Sequence, residues 1–193
     1  MARCDFPKVV RFRFDEEKAV AAVLYLASQH IEALDKYKLA KLLFLADKFH
    51  LVRYGRPITG DEYFALPYGP VPSAILNFLV KEERREQTGL SGSLEVDRAF
   101  QNPRYSRRIE SPLELDALSK SDLKALDLIV KRHGTKTFDE LKAMTHEMPA
   151  YVKAWGKKGK TNRAQMNFED FFEEDSDAIE GMIDLMREDA AFF

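Results

Sequence analysis

Four histidines, His30, His50, His133 and His146, are the side chains best suited to acid–base work or metal ligation near neutral pH. Asp47 and His50 stand three residues apart in a stretch with helical spacing, so both face one side and could share a metal. Two ligands do not close a metal site, and no second cluster has ligand spacing, so structural roles are expected and no metal or cofactor is assigned. His146-Glu147 is the better acid–base candidate, because it follows a helix at a corner broken by Pro149. A cap or a core hydrogen bond is the simpler role for it. Cys4 has no activating base beside it. A nucleophile elbow, the G-x-x-x-x-G-K-[ST] phosphate loop and the dinucleotide glycine fingerprint are all missing. These residues point to recognition rather than catalysis, so the chain is not expected to be an enzyme.

The elements that must hold such residues are legible from periodicity and caps. Residues 1–14 end in an alternation of Val9, Val10, Phe12 and Phe14 with Arg11 and Arg13, which suits a short strand or an extended arm. Asp15 can cap a helix running to about Ala33, with Val20, Val23, Leu24, Ala27 and Ile31 as its apolar stripe. Asp35 can cap a second helix ending at Gly55. Its buried stripe is Leu39, Leu42, Leu43, Ala46, Phe49 and Val52, with Lys38, Lys41 and Lys48 on the wet side.

Turn chemistry at Thr59-Gly60-Asp61 then leads to a short strand over 62–66 and to the corner Tyr68-Gly69-Pro70-Val71-Pro72. There Pro70 is expected to hold Gly69 extended, and Pro72 to open a third helix. Residues 83–93 read as a mobile connection, and residues 94–110 as a hairpin around Gln101-Asn102-Pro103. Ser119 with Asp122 and Thr137 with Glu140 make two capping boxes. The first helix ends at Gly134 and the second at Met144. Pro149 starts a turn leading to Trp155, and a basic loop spans Lys157 to Arg163. Asn167 and Ser176 are expected caps of two last helices, with Phe168, Phe171, Phe172, Ile179, Ile183 and Met186 buried.

The 193 residues suit one domain with an appendage, and 45% hydrophobic content supports a core. Net charge is −2, but ten acidic residues and one basic residue follow from Glu169 onward, leaving 29 basic and 22 acidic residues on the rest. An acidic helical extension (167–193) on a mildly basic body (1–166) is the expected organisation. Arg98, Arg104, Arg107 and Arg108 make the hairpin basic, yet a pI near 6.1 and the lack of a helix-turn-helix pattern make nucleic acid an unexpected partner. The single cysteine fits a reducing cytoplasm, no secretory signal is visible, and no apolar run is long enough to span a membrane.

Two blocks carry a resemblance. Lys38 to Ala46, Tyr54-Gly55-Arg56-Pro57-Ile58-Thr59-Gly60-Asp61, Ala65 and Tyr68 to Pro72 form the first. Leu118 to Gly134, Leu141 and Thr145-His146-Glu147 form the second. Over about residues 18–156 the chain resembles the Panacea domain, the SocA-like antitoxin family also met in phage settings. It departs where the family has glutamine (Ala40) and tryptophan (Leu66), and Tyr151 and Trp155 bracket the place of a later family tryptophan. The resemblance implies a mainly α fold, a compact multi-helix domain with small β-hairpin elements. It implies an antitoxin that neutralises a co-encoded toxin by direct binding, without catalysis.

An alternative is a proteolytic adaptor handing a toxin to an ATP-dependent protease, with Ala190-Ala191-Phe192-Phe193 as an accessible apolar end. A nucleic-acid-binding regulator is a further one. Partner-binding residues are expected to be Tyr63, Tyr68, Gly69, Pro70 and Pro72 at the corner, with His146 and Trp155 from the second block, because aromatics on proline-fixed corners lose little freedom on docking.

Overall fold

The structure, a computed structural model, describes residues 10–108, 110–111 and 113–172. Eight α-helices lie among the described residues: α1 (Glu16–Ser28), α2 (Lys36–Tyr54), α3 (Ser73–Val80), α4 (Glu82–Gln87), α5 (Leu90–Ser93), α6 (Lys120–His133), α7 (Phe138–His146) and α8 (Pro149–Gly156). The strands are β1 (Tyr63–Leu66), β2 (Gly69–Pro72), β3 (Leu94–Asp97), β4 (Arg104–Arg107) and β5 (Ala164–Gln165). The fold is mainly α with small antiparallel sheets, as expected.

α2 is the axis. The Asp35 carboxylate accepts from the Lys38 amide at 2.8 Å, and Gly55 ends the helix at φ +77. Leu39, Leu42, Leu43, Phe44 and Ala46 are all within 1% of full burial. α1 lies beside it, led by Asp15 capping the Lys18 amide at 3.0 Å. α1 stops at Ser28 rather than near Ala33, because His30 and Ala33 take positive φ (53 and 51) and the chain must turn there to reach α2.

β1 and β2 form a tight hairpin, paired Tyr63 with Pro72 through Leu66 with Gly69, and β5 adds to the other edge of β1. The segment read as a proline corner is therefore half of a hairpin, and Gly69 sits at φ +100 rather than extended. Pro72 is the residue before α3, not its first turn. The basic hairpin β3–β4 forms as expected, but residues 83–93 hold α4 and α5 instead of a loose connection, anchored by Arg85 donating to the Leu79 carbonyl at 2.6 Å. Both capping boxes are present, while α7 runs on through His146.

The N-terminal arm holds neither helix nor strand from Val10 to Asp15 and closes over the Thr59–Gly60 turn, where the Asp15 amide donates to the Thr59 carbonyl at 2.9 Å. A Cβ on Gly60 would lie 2.2 Å from the Arg13 carbonyl oxygen. Phe171 completes the core against Phe44 and Tyr63, with ring centroids 5.3 and 5.8 Å away. Asn167 heads only a four-residue 3-10 turn (Phe168–Phe171) and makes no side-chain cap bond. Ser176, Ile179, Ile183, Met186, Cys4 and the C-terminal four residues lie outside the described residues.

Candidate functional site

Helical spacing places Lys41 on the wet side of α2, but β2 and α7 pack over that side and Lys41 is fully buried. Lys38, also assigned to solvent by spacing, is 4% exposed, its ammonium donating to the Glu32 carbonyl at 2.8 Å. The Lys41 ammonium donates to the Pro70 carbonyl at 3.1 Å, and that is its one hydrogen bond among the described residues. Burial pushes its pKa down from 10.5 to about 7; Asp35 pulls it back up and Lys142 pushes it further down.

Gly69 makes room for this lysine. A Cβ there would lie 2.7 Å from Lys41 Cε and 3.2 Å from His146 Cδ2, besides needing φ +100. His146, the last residue of α7, stacks on Tyr151 at 4.4 Å and 18°. Tyr151 stacks in turn on Trp155 at 5.8 Å and 13°, and its hydroxyl donates to the Leu66 carbonyl at 2.9 Å. The imidazole Nε2 is buried and has no hydrogen-bond partner among the described residues. Burial lowers the His146 pKa, and Lys142 and Lys41 lower it further.

Tyr68 stands at the hairpin tip, 53% exposed. Its ring meets Tyr37 of α2 at 5.9 Å and Phe138 of α7 at 6.4 Å, and those two rings are 5.6 Å apart. Lysines rest on the rings: Lys36 on Tyr37 at 5.0 Å, Lys142 on Tyr68 at 5.3 Å and Lys158 on Trp155 at 4.1 Å. The two aromatic groups join at Gly69, so one strip runs from Phe138 and Tyr37 over Tyr68 to His146, Tyr151 and Trp155. Five of the expected binding residues, Tyr68, Gly69, Pro70, His146 and Trp155, thus meet in space. Four of the seven do not offer a surface, and Gly69 and Pro70 are among them, buried along β2. Tyr63 is 1% exposed and donates its hydroxyl to Asp47 at 3.0 Å, and Pro72 is buried at the head of α3. Sequence reasoning missed Tyr37, Lys41, Phe138 and Lys142. Helical spacing alone could not distinguish them from solvated positions.

Two carboxylates build the support beneath. Asp47 accepts from the Ile58 and Thr59 amides at 2.9 and 3.1 Å, the Thr59 hydroxyl at 2.6 Å and Tyr63. Burial nonetheless raises its pKa. Asp61 accepts from the Ala74 and Ile75 amides at 3.0 and 2.9 Å, capping α3 from a distance, and burial lifts it to about 6. His50 faces away from Asp47, with Nε2 3.0 Å from Asp122 and Nδ1 2.7 Å from the Arg56 carbonyl, so the i, i+3 pair shares no ligand. An aspartate inside the apolar run of α2 is the signal that marks Asp47 in the sequence.

Elsewhere the polar groups are engaged locally. Arg104 lies on the Phe100 ring at 3.5 Å, Arg98 approaches Glu82 at 3.5 Å, and Arg107 donates to the Ser111 carbonyl. No group of three metal-ligating side chains occurs among the described residues. Ala154 to Thr161 has phosphate-loop spacing with alanine for the first glycine. It leaves a helix and runs towards β5, so the strand–loop–helix setting that aims amides at a phosphate is missing. No described helix is long and apolar enough to cross a membrane.

No curated protein and no solved structure matches the chain. The family model described as "Antitoxin SocA-like, Panacea domain" matches residues 39–152, which run from the first turn of α2 to α8 and include the aromatic strip except its ends at Tyr37 and Trp155. With more than half of its length matched, and with the buried axis, the hairpin and the Thr-His corner inside the match, the chain belongs to the SocA-like Panacea antitoxin family.

Proposed function

We propose that this chain is an antitoxin that neutralises a toxin by direct binding in the cytoplasm, without catalysis, and that the aromatic strip around Tyr68 is its binding face. The observation that carries the reading is a half-exposed tyrosine on a hairpin tip, flanked by two edge-on rings, within the segment matched by the family. Tyr and Trp side chains present large area on few rotatable bonds, so they concentrate binding energy at interface centres. The hairpin is held from below by Lys41, Tyr151 and the Asp47 network, so little ordering remains to be done on docking.

Co-expression of the chain with each product encoded beside it tests the reading. One neighbour is expected to be toxic alone, tolerated in the presence of this chain, and co-purified with it. Tyr68→Ala is expected to weaken that complex by about 2 kcal/mol, roughly 30-fold. Neighbours that are all harmless, or a toxic one rescued without any complex, would overturn it.

A further inference from the structure

The lysines of the strip lack ion-pair partners among the described residues. Lys36, Lys142 and Lys158 rest on aromatic faces, and none of them, nor Lys41, has a carboxylate in ion-pair contact among the described residues. Two acids beside the strip are already engaged. Asp35 caps α2, and Glu140 accepts from the Thr137 amide at 2.7 Å. The protein does pair cations elsewhere: at Asp122, Lys18 lies at 3.5 Å and Arg56 at 3.1 Å. A fully buried ammonium with a single carbonyl, beside a buried imidazole nitrogen with no partner, is an incomplete polar cluster.

We propose that the Tyr68 corner takes an acidic side chain of the partner protein, its carboxylate seated against Lys142 over the Tyr68 ring and within the field of Lys41. This rests on the toxin-binding reading of the same strip. The groups facing Lys41 are Asp35 from its own helix, the Pro70 carbonyl from β2, and Lys142 and His146 from α7. Only Asp35 among them is an anion, and its carboxylate is spent on the helix cap.

Docking of a carboxylate then has a proton signature. In the free protein Lys41 is mostly neutral above pH 7. An added anion favours its charged form, so the complex holds more protons than the free chain, and affinity falls as pH rises above 7. A rise of about one unit on binding weakens the complex about fourfold between pH 7 and 8.5. His146, held below 6.5, stays neutral across that window and does not confuse the reading.

Two arms test this on the full chain. In the first, poly-L-glutamate is titrated in while lysine and tyrosine NMR signals are followed, with poly-L-glutamine as control. Shifts are expected at Lys142, Lys41 and Tyr68, and Lys142→Glu is expected to weaken them at least tenfold with an unchanged thermal melt. Shifts confined to the arginine hairpin, or indifferent to Lys142→Glu, overturn the inference. In the second, calorimetry on the toxic neighbour's product at pH 8, in phosphate and in Tris, is expected to reveal proton uptake that Lys41→Met abolishes. Should Lys41→Met fail to fold, the wild-type uptake and the Lys142→Ala complex carry the test. A toxin bound with no proton uptake and undiminished by Lys142→Glu refutes the acidic docking point but leaves toxin binding standing. If no neighbour is toxic, toxin binding falls, and the polyglutamate arm still decides the corner.

Discussion

Replacing Lys41 by methionine should stabilise this protein at neutral pH and bring it level with wild type near pH 9. Methionine keeps the aliphatic length that packs under Gly69 and removes the amine that burial disfavours. The native pKa of Lys41 is depressed from 10.5 to about 7, so its contribution to stability is fully present above 10.5 and is lost as pH falls through 7. At about 1.4 kcal/mol per unit, the gap amounts to about 4 kcal/mol at pH 7. Methionine leaves the Pro70 carbonyl without its donor at 3.1 Å, which costs about 2 kcal/mol. The net gain is about 2 kcal/mol at pH 7, or roughly 6 °C in Tm for a chain of this size. By pH 9 wild type has recovered about 2 kcal/mol relative to the variant, and the two should converge. Urea unfolding followed by circular dichroism at pH 7, 8 and 9 reads both quantities. A variant destabilised by several kcal/mol, with a gap independent of pH, would show that Lys41 is charged and paired in the native state, and the reasoning would be wrong.

Other outcomes follow from the same geometry. Gly69→Ala is expected to lose about 2–4 kcal/mol in the same unfolding assay, because φ +100 and a Cβ 2.7 Å from Lys41 Cε must both be accommodated. Asp47→Ala is expected to cost about 3 kcal/mol or more, since it strands two amides and two hydroxyls in the core, and a wild-type melting temperature would contradict the network's role. His50, the Ser119 cap and Arg56 hold the Asp122 carboxyl below its ordinary value of 3.8 against the pull of burial; the stability this group adds above 3.8 is lost as pH falls further. Asp122→Asn should therefore flatten the acid limb of a stability-against-pH profile, and an acid limb identical to wild type would exclude it.

Much of the scaffold was legible because it is written locally. Asp15, Asp35, Ser119 and Thr137 cap helices through bonds spanning three residues, and Gly55 ends α2 through its own backbone. Such signals need no knowledge of the rest of the chain. α4 and α5 were missed because ERREQTGLSGS has a polar composition, while Arg85 is held by a carbonyl on the preceding helix. The early end of α1 depends on two residues in left-handed conformations that the sequence pattern does not announce.

The candidate site divides along the same line. The sequence by itself determined that a Tyr-Gly-Pro corner and a Thr-His corner exist, since turn residues and caps act within a few positions of themselves. That the corners meet, that Lys41 is buried between them and that Tyr63 points inward were decided only by tertiary packing. β2 and α7 cover a face of α2 that helical period assigns to water, and a lysine there loses its solvent without gaining an anion. Burial depends on which elements arrive from far along the chain, and a period of 3.6 residues describes one helix alone.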